Sequence, residues 1–249
     1  MVSVITPIHN DWKNILKVVE SVAGQTVKVK EHIIINDGST DGVEELISSL
    51  QEKFPHLIYL EQERKGPGPA RNYGINMARG RYIAFLDSDD WWFPEKLENQ
   101  IGFMESNCVL FSYGDYVKRD SLKGGRIATY IPPYSLGYKQ LLKGCPIGCL
   151  TVAYNQEVLG KRYMSEKFRG QDWGLWLELT QEGVIAKKYP GNFAVYEDSP
   201  NSVSSRKLKK CVDIFRIYRT EQKFNFMLSI YYLGIHIFSS AQNKIRLYR

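Results

Sequence analysis

Tyr82-Ile83-Ala84-Phe85-Leu86-Asp87-Ser88-Asp89-Asp90 is an unbroken apolar run that stops abruptly on a cluster of carboxylates. A run with no polar alternation reads as a strand covered on both faces, as a parallel strand is when helices lie above and below it. Working outward towards the N-terminus, short Val- and Ile-rich runs alternate with helical patterns. Strands are expected over 2–6, 32–35, 57–60 and 82–86, with helices over 12–23, 42–52 and 70–77 between them. Strands separated by helical segments of about 10–15 residues imply crossover connections. The expected class is therefore α/β, a mostly parallel sheet flanked by helices.

In such a sheet ligands bind beyond the carboxyl ends of the strands. The first three strand ends supply Pro7-Ile8-His9-Asn10, Asn36-Asp37-Gly38-Ser39 and Gln62-Glu63-Arg64-Lys65, and the fourth supplies the acidic cluster. All four fall on one rim. Crowded carboxylates repel unless a cation is shared between them. A hard divalent ion, Mn²⁺ or Mg²⁺, resolves this with one or two carboxylates, filling its shell with diphosphate oxygens and water. The competing reading is that Ser88-Asp89-Asp90 caps a helix running on through Pro94, Glu95, Lys96 and Leu97. The loop Lys65-Gly66-Pro67-Gly68-Pro69-Ala70-Arg71-Asn72 lacks the glycine spacing of a dinucleotide site, which weakens a dehydrogenase reading.

With 249 residues, 43% of them hydrophobic, the chain can bury a substantial core. It opens directly on a strand, with no charged-then-apolar leader pattern, so a cytoplasmic protein is expected. Cys108, Cys145, Cys149 and Cys211 are expected to be reduced thiols, and the Cys145–Cys149 spacing lacks the second pair of ligands that zinc needs. The net charge of +6 is uneven: residues 203–249 carry +8 and residues 1–202 carry −2. A basic tail suits nucleic acid, anionic lipid or water. No recognised nucleic-acid-binding pattern accompanies it, so no nucleic-acid partner is expected. Beyond residue 90, strands are expected near 108–113, 151–154 and 194–196, and helices over 172–181, 204–224 and 226–241.

The segments Val2-Ser-Val-Ile-Thr-Pro-Ile-His-Asn10, Ile34-Ile-Asn-Asp-Gly-Ser-Thr-Asp41, Gly68-Pro-Ala-Arg-Asn-Tyr-Gly74 and Tyr82–Asp90, followed by Gly170-Gln-Asp-Trp-Gly-Leu-Trp176, together resemble family 2 glycosyltransferases of the GT-A fold. The resemblance spans roughly residues 1–200. The stretch Asn201–Leu208 also resembles members that build O-antigen, capsule or teichuronic-type polysaccharides. The resemblance implies inverting transfer of one hexose from a nucleotide-diphosphate donor, with UDP as the expected nucleotide, to a glycan acceptor. It implies that Thr6, Pro7, His9 and Asn10 line the base and ribose, that Asp37 accepts from a uracil ring N–H, and that Arg71 reaches the nucleotide or diphosphate. Asp87 and Ser88 fall in the Asp-x-Asp motif, whose second acid, Asp89, would bind the ion. Asp172 takes the place of the general base, with Gln171 replacing the acid that commonly precedes it. Trp173 and Trp176 are candidates to stack on an acceptor sugar.

Two of these residues carry second readings as helix N-caps, Asp41 and Asp172. The division expected is a catalytic domain over 1–202, with a nucleotide half (1–100) and an acceptor half (101–202), and a basic helical tail over 203–249. In the tail, Asn225, Ser229, Tyr232, His236, Ser240 and Asn243 form one narrow polar stripe in an otherwise apolar segment. That suits either an interfacial helix on an anionic membrane surface or a helix docked on the catalytic domain. The first of these would set the enzyme on the cytoplasmic face of the inner membrane, beside an acceptor linked to polyprenyl diphosphate. A sugar-nucleotide nucleotidyltransferase and a non-catalytic sugar-nucleotide or glycan-binding scaffold are the alternatives.

Overall fold

The computed structural model describes residues 1–120, 126–166, 170–198 and 207–246. The first half follows the expected alternation closely. Strand β1 (Val2–Ile8) leads to α1 (Trp12–Ala23), β2 (Glu31–Asp37) to α2 (Val43–Lys53), β3 (Leu57–Gln62) to α3 (Pro67–Met77), and then comes β4 (Tyr82–Phe85). These four strands are parallel, in the order β3-β2-β1-β4. Helix α3 begins three residues earlier than expected because Pro67 occupies its first turn, where a missing N–H costs nothing.

The second half departs from a parallel sheet. After β5 (Trp91–Trp92) and α4 (Lys96–Ser106), the long strand β6 (Phe111–Asp120) is followed by β7 (Arg126–Tyr130), β8 (Ser135–Leu136) and α5 (Tyr138–Leu141). A single 3₁₀ turn, Cys149–Thr151, precedes β9 (Ala153–Asn155) and α6 (Gln156–Leu159); α7 (Gln171–Gln181) and β10 (Ala186–Asp198) complete the sheet. Strand β9 runs antiparallel to both β4 and β6, joining the two halves, while β6 and β10 pair in parallel across two register shifts. The sheet is thus mixed. Short strands and bulges of this kind leave little periodic trace in a sequence.

Alternation along each strand sends side chains to two cores. On one face Ile5, Ile33, Ile83, Phe85, Phe111 and Trp176 pack together, and on the other Val4, Ile34, Ala84, Leu86, Val19 and Leu97. This double covering explains why β1, β2 and β4 read as continuous apolar runs. The tail is α8 (Lys207–Arg216), one π turn (Ile217–Glu221) and α9 (Phe226–Arg246), so the single helix expected over 204–224 is interrupted. Ile214, Ile217 and Tyr218 join the first core. The boundary expected at residue 203 and the stretch Asn201–Leu208 fall largely outside the described residues.

Candidate active site

The four strand ends form one interlocked rim. Asn10, in a left-handed conformation (φ 51°), accepts from Thr40 N at 2.8 Å through Oδ1, and its own N–H donates to Ser39 Oγ at 3.1 Å. The His9 ring Nδ1 lies 2.9 Å from the Asp37 carbonyl. The Asp37 carboxylate, buried at the end of β2, accepts from Gln62 Nε2 at 2.7 Å and from the backbone N–H groups of Lys65 and Gly66, each at 2.8 Å. Asp37 therefore holds the third loop in place. Gly38 is required beside it: φ is 66°, and a Cβ there would sit 2.9 Å from Arg64 N.

At the fourth strand end the chain turns through Asp87–Asp90, closed by Asp90 N donating to Asp87 O at 3.1 Å. The buried Arg71 guanidinium, near the start of α3, pairs with the Asp87 carboxylate. Ser88 Oγ donates to Asp11 Oδ2 at 2.8 Å. Asp89 has no such pairing; burial, then the charges of Asp87 and Asp11, push its carboxyl up to about 6. Asp90 is buried and accepts from Glu197 N at 3.1 Å, and burial holds its carboxyl well above the usual range. No helix starts at Trp91, where the chain forms β5, and α4 starts only at Lys96, so the capping reading of this cluster does not hold.

Asp172 enters from α7. Gly170, left-handed at φ 82°, takes the N-cap position of that helix, leaving Asp172 inside the first turn rather than as its cap. Burial raises the Asp172 carboxyl, while the Arg71 charge and the Trp173 backbone N–H work against it. Arg71 is itself held more firmly cationic: burial opposes its charge, but Asp87, Cys149 and Asp172 together outweigh that. One buried cation thus stands within electrostatic reach of the acidic turn, of Asp172 and of the Cys149 thiol.

Several expected roles are corrected. Thr6 is fully buried, and its hydroxyl lies 2.9 Å from His32 Nε2, so it belongs to the core behind the rim. Pro7 is covered as well. Trp176 is wedged in the core, its ring 5.1 Å from Phe111 and 6.1 Å from Phe85. Trp173 is also buried, donating Nε1–H to Leu141 O at 3.0 Å, so neither tryptophan presents a face to a sugar. Asp41 caps the start of α1 through space, accepting from Trp12 N at 3.0 Å, while Gly42 takes the N-cap of α2. Asp11, Cys149 and Glu197 are site neighbours that the sequence reading missed. Asp11 alone carried a signal, as an acid next to the first rim loop.

Among the described residues, no group of three or more His, Cys, Asp and Glu side chains is arranged to enclose a metal ion. The donor set nevertheless fits an ion that takes most of its shell from phosphate and water: among the described residues the Asp89 carboxylate pairs with no other side chain, and it lies within electrostatic reach of Asp87, Asp11 and Asp90. Between residues 163–166, α7 and the π turn lies a cleft of about 460 Å³, lined by Tyr163, Ser165, Glu178, Glu221 and Gln222 among others.

A half-parallel sheet whose strand ends make a rim of interlocked loops, joined to a mixed half, is the architecture of the GT-A fold. The description "Glycosyl transferase family 2" matches residues 3–162, and the chain belongs to that family. TuaG of Bacillus subtilis (strain 168), a glycosyltransferase named for teichuronic acid biosynthesis, is 37% identical over 91% of this chain and 90% of its own length. WfaP of Escherichia coli, named as a UDP-Glc:α-D-GlcNAc-diphosphoundecaprenol β-1,3-glucosyltransferase, is 35% identical over 85% of this chain and 83% of its own. Among solved structures, Staphylococcus aureus TarS 1–349 with UDP-GlcNAc superposes with a TM-score of 0.73 at 18% identity, covering 95% of this chain and 71% of that one. A mannosyltransferase of Pyrobaculum calidifontis with GDP-Man and Mn²⁺ has a TM-score of 0.67 at 16% identity, covering 96% and 73%.

Proposed function

We propose that the protein transfers one hexose from a UDP-linked donor, with inversion, to a glycan carried on a polyprenyl diphosphate during bacterial surface-polysaccharide assembly. The observation that carries this reading is the convergence of Arg71, Asp87, Asp89 and Asp172 on the rim that His9, Asn10 and Asp37 organise. The names of TuaG and WfaP support the polysaccharide setting and the lipid-linked acceptor.

His9 and Asn10 receive the nucleoside, and Asp37 shapes the loop that closes over it. Arg71 fixes the Asp87 carboxylate and adds a positive charge towards the diphosphate. Asp89 is the residue to hold Mn²⁺ or Mg²⁺, whose contribution when bound is to neutralise charge building on the leaving UDP. Asp172 accepts the proton of the attacking hydroxyl as its oxygen bonds to the anomeric carbon and the bond to UDP breaks. Its raised pKa makes it a better proton acceptor than an exposed aspartate. The cleft beside α7 lined by Tyr163, Ser165, Glu178 and Gln222 takes the acceptor role that Trp173 and Trp176, both buried, do not fill.

Incubation with UDP-hexoses and a GlcNAc-diphosphate lipid tests the reading, with the product followed by mass and by anomeric proton coupling. An α-linked donor should give a β-linked product and free UDP. A product that keeps the α configuration refutes inversion. Release of pyrophosphate from sugar-1-phosphate plus UTP would mark a nucleotidyltransferase, and nucleotide binding with no transfer would mark a scaffold.

A further inference from the structure

Helix α9 is amphipathic in the sense opposite to that of a water-facing helix. Its polar stripe is turned into the protein: Ser229 is 0% exposed and His236 5%, and the His236 ring lies 4.8 Å from that of Trp173. Tyr232 joins them, 5.4 Å from Phe224 and 5.7 Å from Tyr218. The opposite side carries Phe226, Met227, Ile230, Tyr231, Ile237 and Phe238, with Met227 76% exposed, Phe238 65% and Tyr231 61%. With Gly234 these positions fill an arc of about 140° on a helix turning 100° per residue. The patch extends to α8, where Phe215 meets Phe226 edge-on at 5.7 Å and Val212 is exposed.

Charge identifies the occupant. No Asp or Glu follows Glu221 in the sequence, whereas Lys223, Lys244, Arg246 and Arg249 do, and Arg219 and Lys223 are exposed at the start of the helix. A second copy docked on this face would bring two cation-bordered stripes together, with no acid in either to offset the repulsion. An anionic lipid surface matches both features, since its headgroups meet the cations and its acyl boundary takes the apolar arc. No helix among the described residues is long and apolar enough to cross a membrane, so the fit is side-on. We propose that α9 lies in the interface of an anionic leaflet with this apolar arc inserted and its polar stripe clamped on the catalytic domain. The His236 ring contacts Trp173, the residue after Asp172, so the membrane-bound helix packs directly on the helix that carries the candidate base. The inference rests on the lipid-linked-acceptor reading only for its purpose, and vesicles without acceptor test it.

Flotation of the full chain with phosphatidylcholine vesicles, with and without phosphatidylglycerol, is the measurement. The wild-type chain should partition onto the anionic vesicles at least about tenfold more strongly than onto neutral ones, and less as salt rises. Met227→Glu with Phe238→Glu should lose about tenfold or more of that binding while melting and binding UDP as the wild type does. If the double variant does not fold, Phe238→Ser alone should still weaken binding severalfold. Failure of the wild type to float with anionic vesicles, or equal flotation by the folded variants, overturns the proposal. So does a wild-type dimer that the variants turn into a monomer without any vesicle binding. Vesicle binding without UDP binding would leave this inference standing and refute the donor-site reading instead.

Discussion

Asp172 and Asp89 are both carboxyls whose pKa burial raises, yet they sit in different surroundings, and the proposed function gives them different work. Asp172 faces a buried arginine from the first turn of a helix, where a proton acceptor can be held still. Asp172→Asn keeps the volume and removes the base, so kcat should fall about 10²–10⁴-fold while UDP affinity stays the same, as rate assays and calorimetry can check. Asp89 leads to a prediction about stability. Its carboxyl titrates at about 6 in the folded chain against 3.8 as the ordinary value, so between those pH values the folded state holds a proton that the unfolded state has lost. In chelator, stability should therefore rise as pH falls from about 7 towards about 4. Asp89→Asn should flatten that slope and stabilise the ion-free protein at neutral pH by about 1–2 kcal/mol, read from urea melts. The same variant should lose ion-dependent donor binding.

At the scale of elements, the rim depends on side chains that tie one loop to the next. Removing the Asp37 carboxylate leaves the Lys65 and Gly66 N–H groups without their acceptor; Asp37→Ala should cost about 1–3 kcal/mol in denaturant melts and weaken UDP binding. Trp176→Ala should cost about 3–5 kcal/mol, because it opens a cavity between Phe85 and Phe111. The strand ends and the acidic turn were legible in the sequence because β1, β2 and β4 are covered on both faces and end where the chain turns polar. The partners of those residues were not. Asp41 caps a helix that begins 29 positions earlier, and Thr6 meets His32 across 26, contacts that local pattern does not encode. Trp173 and Trp176 differ from expectation for a related reason: one and four positions after the candidate base Asp172, they sit on the buried sides of α7, and a short helix lined by apolar residues does not declare which side faces a cleft.

Across the whole molecule, the sheet joins a regular parallel half that builds the rim to a mixed half that delivers Asp172, with β9 between them. The mixed half was the less legible, since β6 and β10 pair across bulges and β9 spans only Ala153–Asn155. The tail's polar stripe was plain in the sequence, but its inward direction was not: a stripe alone does not say which side meets the protein, and buried Ser229 and His236 settle it. The central claim is that this rim is an ion-dependent donor site. Calorimetric titration of UDP into the full chain, with Mn²⁺ and with chelator, for wild type and Asp89→Ala, tests it most directly. The account predicts binding that needs the ion and weakens at least about tenfold in the variant. Equal binding in chelator, unchanged by the substitution, would contradict it.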